Sequence, residues 1–302
     1  MILRTLLFSL TLLFSASPVQ AASALVDQQW LAKNQTQVTV LDVRPKPIFE
    51  KAHLPGAIWS DYHGDGWMVT RWGRPHMLAV RSDLVVLVGQ LGLAADQHIV
   101  VVGQGGSAEK MKQAVRIYWT LKWLGHKELS LLDGGMANWS YPDKLVEGSP
   151  TPHQPVQYLQ QSAPPILAME EDTQDVLDNN APPIDARPYE RHMGSENAGF
   201  LQQAGSIWDA HNLPVERLLD KAGRFLSAKQ MITIFNRHRV FHFMQRTVAF
   251  SDTGQLSSVL WFALYEVLGN KRAMNYDGGM VEWEDYRHDI WDQTDDMGGP
   301  LG

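Results

Sequence analysis

The sequence predicts an α/β protein built from two tandem copies of one domain, each a central parallel sheet flanked by helices. Three observations carry this expectation. The second half repeats segments of the first half in the same order. In both halves, short apolar runs rich in β-branched residues alternate with helical stretches, the pattern of buried parallel strands with covering helices. The chain has 302 residues, 44% hydrophobic and 20% charged, which suits two globular domains and is too polar for a multi-span membrane protein.

The repeat is long and specific. Leu124-Gly125-His126-Lys127, Asp133-Gly134-Gly135-Met136 and Trp139 recur without a gap as Leu268-Gly269-Asn270-Lys271, Asp277-Gly278-Gly279-Met280 and Trp283. Upstream, Leu41-Asp42-Val43-Arg44-Pro45 recurs as Ile184-Asp185-Ala186-Arg187-Pro188, and Pro55 to Trp59 recurs as Ala204 to Trp208. Two copies of this length indicate a duplicated domain, not a solenoid of short units. Strands are expected over Val38–Val43, His98–Val102 and Thr247–Phe250, and helices over Ala114–Leu124 and Ser257–Leu268, each stopped by Leu-Gly. Asp-Gly-Gly reads as a tight turn after a further short strand in each copy.

The flanking segments differ in kind. Residues 1–21 read as a secretory signal peptide: Arg4 is the positive n-region, Leu6 to Ala16 the apolar stretch, and Val19-Gln20-Ala21 the cleavage site. That stretch is shorter than the ~20 residues a bilayer span needs, so a periplasmic protein with no membrane span after cleavage is expected. Losing Arg4 takes the net charge one unit below the −7 of the whole chain, which argues against nucleic acid as a partner. The expected domains are residues 22–147 and 166–291. They are joined by a Pro-, Gln-, Ser- and Thr-rich linker at 148–165 and followed by an acidic, Gly-rich tail at 292–302. There is no Cys in the chain, hence no disulfide, Cys-ligated metal or thiolate nucleophile.

Asp42-Val43-Arg44, His53-Leu54-Pro55-Gly56-Ala57 and Leu132-Asp133-Gly134-Gly135 resemble the signatures of rhodanese-like domains. The chain as a whole is similar to tandem-domain thiosulfate sulfurtransferases, and Pro75-His76-Met77-Leu78 resembles the longer connection those enzymes carry in the first domain. The resemblance implies two rhodanese-like domains, the first of an inactive type and the second carrying a loop of the form Cys-x-x-Gly-x-x between a strand and a helix. It also implies a persulfide mechanism, in which the Cys thiolate takes sulfane sulfur from thiosulfate and passes it to an acceptor. Such a loop gathers backbone N–H groups around an anion at a helix N-terminus.

Here that loop is Ser251-Asp252-Thr253-Gly254-Gln255-Leu256, with Ser251 at the Cys position. A hydroxyl is not ionised near neutral pH and is a poor acceptor of sulfane sulfur, so classical sulfurtransferase activity is not expected. The first-domain loop, Gly103 to Lys110, also lacks Cys, and it lacks the ending of a phosphate-binding P-loop. Arg191 matches by motif position an Arg that holds the substrate anion in the family, whereas the first copy has Ile48 there. Arg191 with Asp252, Thr253, Gly254, Gln255 and Leu256 is therefore the candidate anion site, for thiosulfate or a similar small anion, with Asp252 expected to turn to solvent. Asp185 and Arg187 are expected to be a structural pair beneath the loop.

The same residues admit other functions. A Ser251 hydrolase needs a base, and His53, His192 and His211 are available without a spacing that shows contact. A protein-interaction or regulatory module, with a periplasmic protein as partner, would use Trp67 and Trp72 in an exposed loop. The same residues fit a buried connection between domains. His238 and His242 have the spacing of one helical face, but the flanking Arg237 and Arg239 disfavour a cation, so no metal and no cofactor are expected.

Overall fold

The computed structural model describes residues 23–286 and 290–292; segment 1–21, read as an export signal, and residues 293–302 of the tail lie outside the described residues. In the first half, β1 (Leu25–Val26), β2 (Thr39–Asp42), β3 (Ile58–Trp59), β6 (Ile99–Val102) and β7 (Leu129–Leu132) form a parallel sheet in the order β1-β7-β6-β2-β3. Between β3 and β6 stand β4 (Met68–Arg71) and β5 (Arg74–Leu78), an antiparallel hairpin. The helices are α1 (Gln28–Asn34), α2 (Lys46–Lys51), α3 (Arg81–Gln90) and α4 (Ala108–Trp123).

The second half repeats this plan with β8 (Leu167–Ala168), β9 (Ile184–Asp185), β11 (His211–Asn212), β12 (Thr247–Phe250) and β13 (Ala273–Tyr276). The order is β11-β9-β12-β13-β8, all parallel, which is the first sheet's order read from the other edge. Its helices are α5 (Glu170–Asp178), α6 (Tyr189–His192), α7 (Ala228–Arg237), α8 (Gly254–Phe262) and α9 (Gly279–Trp283). A separate two-stranded ribbon pairs β10 (Ser206–Ile207) with β14 (Ile290–Trp291).

That ribbon corrects the sequence repeat. The repeat aligns Ile58 with Ile207, but the sheet puts His211 where Ile58 stands: β2 pairs Leu41 with Ile58, and β9 pairs Ile184 with His211. Ser206 and Ile207 give their backbone to β14 instead, and Asp209, at a φ of 63°, turns the chain back to the sheet edge.

The central strands explain the two faces. Ile99, Val100, Val101 and Val102 are all buried; Ile99 and Val101 pack with Met111 and Val115 of α4, while Val100 and Val102 pack with Leu31 and Phe49. The helices start earlier than expected. Ser107 caps α4 by accepting from Lys110 N–H at 3.3 Å, and α8 starts at Gly254 and runs into a π-helical turn over Ala263–Val267. The expected Leu-Gly stops hold, with Gly125 and Gly269 at positive φ.

The linker is strapped to the first domain: Val156 N–H donates to Gly89 O at 2.8 Å, and Tyr158 is buried with its hydroxyl 3.1 Å from His126 Nδ1. Trp67 and Trp72 separate the two alternatives drawn from the sequence. Trp67 is 1% exposed and donates to Ser60 Oγ, while Trp72 at the hairpin turn is 78% exposed.

The two domains share one apolar core, in which α4 packs along α8. The Tyr118 and Phe262 rings meet edge to face at 4.9 Å, and Tyr118 OH donates to Glu266 at 2.8 Å. Arg116 of α4 is fully buried in this interface. Its Nη1 donates to Gly254 O at 3.1 Å, its Nη2 pairs with Asp277, and its guanidinium lies on the Trp119 ring. Arg74 of the hairpin adds ion pairs with Glu282 at 2.8 Å and Asp285 at 2.6 Å.

Removing one member of a buried pair leaves an uncompensated charge, so Arg116→Ala is expected to destabilise the chain by about 3–5 kcal/mol in urea unfolding. Lys122→Ala takes a half-buried charge from Glu266, which keeps Lys271 and Tyr118, and is expected to change stability by about 1 kcal/mol or less. Equal effects of the two substitutions would refute the clamp role of Arg116.

Candidate functional site

The loop lies where β12 ends and α8 begins, above the C-terminal edge of the second sheet. It is shorter than the sequence suggested, because Gly254, Gln255 and Leu256 form the first turn of α8. Gly254 is required by contact: a Cβ there would lie 2.4 Å from Arg116 Nη1 and 2.8 Å from Asp277 Cα. Thr253 precedes the helix in extended conformation, without a side-chain cap. The Gly254 N–H, one of the amides expected to face an anion, donates to Asp277 O at 2.8 Å.

Ser251 is buried and its hydroxyl is spoken for. Oγ donates to Thr253 O and accepts from Ser257 N–H at 3.2 Å, with Ser257 Oγ also at 3.2 Å. It ties the loop to α8 from inside. None of the three candidate bases hydrogen-bonds Ser251 among the described residues. His192 Nδ1 is 3.0 Å from Asp185, His53 Nδ1 is 2.9 Å from Phe49 O, and the His211 ring lies tilted against that of His242 at 5.3 Å. A Ser-His constellation for hydrolysis is absent from these contacts.

Asp252 overturns the expectation that it faces solvent. Its side chain turns inward, where Oδ1 accepts from Arg187 Nη1 at 2.9 Å and Oδ2 from Arg191 Nη1 at 2.5 Å. The physical reason is charge: two guanidinium groups converge beside the loop, Asp185 engages only one of them, and the Asp252 carboxylate bridges both. Arg191 remains 36% exposed at its side chain, so of the two Arg residues bound to Asp252 it is the one that solvent reaches, but its Nη1 is already engaged.

Arg187 is the structural residue expected beneath the loop. Its Nε and Nη2 donate to Asp185 at 2.9 and 2.7 Å, and Nη2 also reaches Gly205 O. Asp185 also accepts from Ser206 Oγ at 2.8 Å. Burial opposes ionisation of Asp185, but the Arg187 charge and the His192 hydrogen bond outweigh it and hold this carboxyl well below the usual range. Burial likewise opposes the charge on Arg187, and the carboxylates of Asp185 and Asp252 reverse that and raise its pKa.

A cleft of about 500 Å³ opens over Leu256, walled by Tyr189, Arg191, Val215 and Arg217 and by the carboxylates Glu109, Glu190 and Glu216. Glu216 Oε1 accepts from Ala108 N–H at the start of α4 at 2.9 Å, so the first domain closes one side. The lining carries both signs of charge. His238 and His242 do not share a helical face: α7 ends at Arg237, Arg239 takes a φ of 57°, and the two rings face Asn212 O and Pro182 O.

Sequence patterns missed Arg116, which reaches the loop region from α4 of the first domain, and Glu216, which lines the adjoining cleft from the second domain and bonds across to Ala108. Asp277 carried a signal, its place in the repeated Asp-Gly-Gly, but a turn was the role expected of it.

Comparisons with known proteins agree with this architecture. The profile of the rhodanese-like domain matches residues 27–141. A putative thiosulfate sulfurtransferase of Haloferax volcanii is 28% identical over 245 residues, covering 78% of this chain and 81% of the relative. Human 3-mercaptopyruvate sulfurtransferase is 26% identical over 287 residues, covering 89% and 94%. Among solved structures, SseA from Escherichia coli, a 3-mercaptopyruvate sulfotransferase with the rhodanese fold, superposes with a TM-score of 0.71 at 23% identity. That match covers 85% of this chain and 99% of SseA. Residues 27–141 thus match the rhodanese-like domain, and the chain over most of its length is similar to thiosulfate and 3-mercaptopyruvate sulfurtransferases.

Proposed function

We propose that this protein is an exported, periplasmic member of the family that does not carry out persulfide transfer and instead binds small sulfur oxyanions weakly at Arg191. The observation that carries the reading is the position of Asp252, which occupies Arg187 and Arg191 together. A thiolate at position 251 would attack the sulfane sulfur of thiosulfate, form the new S–S bond and release sulfite. Ser251 supplies no such nucleophile. Its one proton goes to Thr253 O, and an alkoxide formed there would face the negative end of that carbonyl. An incoming oxyanion reaches Arg191 from the cleft, where it competes with the Asp252 carboxylate and meets Glu190 and Glu216 nearby.

A second reading, a protein-interaction module, draws on one observation. Trp72 stands exposed at the hairpin turn, with Arg71 and Arg74 at 5.6 and 5.9 Å from its ring. A Trp72→Ala protein that captured the same periplasmic partners as the native one would dismiss it.

Two outcomes are expected for the primary reading. In a thiocyanate assay with thiosulfate and cyanide, the native protein and Ser251→Cys both remain inactive, because Asp252 still repels the substrate. The double variant Ser251→Cys with Asp252→Ala gains turnover. Activity of the native protein would defeat this account. In calorimetry with thiosulfate, Asp252→Asn binds about tenfold more tightly than native, a difference of roughly 1.4 kcal/mol, and Arg191→Ala shows no binding. Equal heats from native, Asp252→Asn and Arg191→Ala would remove the anion-binding claim.

A further inference from the structure

The duplication allows the Asp-x-Arg corner of the second domain to be compared with its counterpart in the first. The frames correspond residue for residue. Asp42 pairs in the sheet with Val102 as Asp185 pairs with Phe250, so Gly103 stands for Ser251 and Gln104 for Asp252. The next turn agrees: Met136 N–H donates to Gly103 O at 3.0 Å, and Met280 N–H donates to Ser251 O at 2.9 Å. Arg44 is held as Arg187 is. Its Nε donates to Asp42 at 2.9 Å, and its Nη2 donates to Asp42 at 2.6 Å and to Ala52 O at 2.8 Å.

The corners differ at the third guanidinium nitrogen. Arg187 Nη1 is filled by the Asp252 carboxylate. Arg44 Nη1 has no hydrogen-bond partner among the described residues, although the Arg44 side chain is only 5% exposed. Arg44 lines a cavity of about 340 Å³, the lower end of the range for small-molecule sites. Around it stand Gln104, Lys110, Lys112, His63 and His76, and Gln255 of the second domain forms part of the wall. The one carboxylate in the lining, Glu109, is paired with Lys112. Lys110 has no ion pair among the described residues. Burial, and then the charges of His63 and Lys112, lower the pKa of His76.

We propose that this first-domain cavity binds a small carboxylate, which sits on Arg44 Nη1 as the Asp252 carboxylate sits on Arg187 Nη1, with Lys110 and Lys112 supplying the remaining charge. The second domain carries its own occupant for this corner and the first takes one from solution. A buried guanidinium with one free N–H pair gains more from a carboxylate than from water, because the charge-assisted bond forms in a partly desolvated site. The proposal is independent of anion binding at Arg191.

The test is calorimetry on the intact two-domain chain with succinate, thiosulfate and the uncharged succinamide as probes. Succinate is expected to bind with one-to-one stoichiometry and succinamide not at all. Gln104→Asp, which supplies the carboxylate in place, and Lys110→Ala with Lys112→Ala are each expected to weaken succinate binding at least tenfold. Arg191→Ala leaves succinate binding unchanged, which separates this site from the second-domain cleft. A rise in melting temperature with succinate, present in the native protein and absent in Gln104→Asp, gives a second readout. The lysine variant decides alone if Gln104→Asp does not fold. No heat with succinate, binding that both variants retain, or tighter binding of thiosulfate with the same dependence on Lys110 and Lys112 would each overturn the proposal.

Discussion

The contact between Arg116 and Asp277 is the constraint on which the loop and the domain arrangement both depend. Asp277 touches three segments at once. One carboxylate oxygen pairs with Arg116, the other accepts from Leu78 N–H at 2.7 Å, and its backbone carbonyl accepts from Gly254 N–H. Arg116 in turn holds the Gly254 carbonyl. A helix and a hairpin strand of the first domain are thereby bonded to the start of α8 in the second. A buried charge pair of this kind holds position more than it adds stability, because each partner is costly to leave alone. It also explains Gly254, since any side chain there would push into the pair.

The two repeated Asp-Gly-Gly turns share this duty. Asp133, the counterpart of Asp277, accepts from Phe225 N–H of the second domain at 2.9 Å. Each copy therefore sends its turn carboxylate across the boundary into the other copy. The arrangement is not symmetric. The gapless repeat sets Leu260 opposite Arg116, so the guanidinium belongs to the first copy alone, and the two copies do different work with one frame. The Asp-x-Arg corners diverge in the same way, one closed by Asp252 and the other open to a basic cavity. Changes at a few positions around a common corner suffice, because the buried Asp and Arg beneath it stay the same.

Much of this was legible in the residues. The apolar runs at His98–Val102 and Thr247–Phe250 marked strands to within one residue at either end, and the duplicated segments pointed to two like domains, which the two sheets of one topology bear out. The Leu-Gly stops gave the helix ends, since positive φ at Gly125 and Gly269 is a local property. The starts of α4 and α8 were less legible, because Ser107 and Thr253 sit in polar, Gly-bearing stretches where a loop and a first turn look alike. The edge strand was misaligned because Ile207 and Ile58 are alike in sequence, while hydrogen bonding to Ile290 from the far end of the chain drew Ile207 out of the sheet.

What the sequence determined by itself was the duplicated α/β frame and the presence of Ser251 in a chain without Cys, since strand and helix periodicity are local and Ser251 is simply read in place. What only the tertiary structure decided was the use of each charge. Asp252 looked like a solvent-facing neighbour of an anion site until Arg187 and Arg191, more than sixty residues earlier, converged on it. Gln104 and Lys110 looked like ordinary loop residues until they lined a cavity with Arg44. Spacing along the chain places residues on an element; which charges meet, and therefore which are satisfied, is fixed by contacts between elements far apart in the chain.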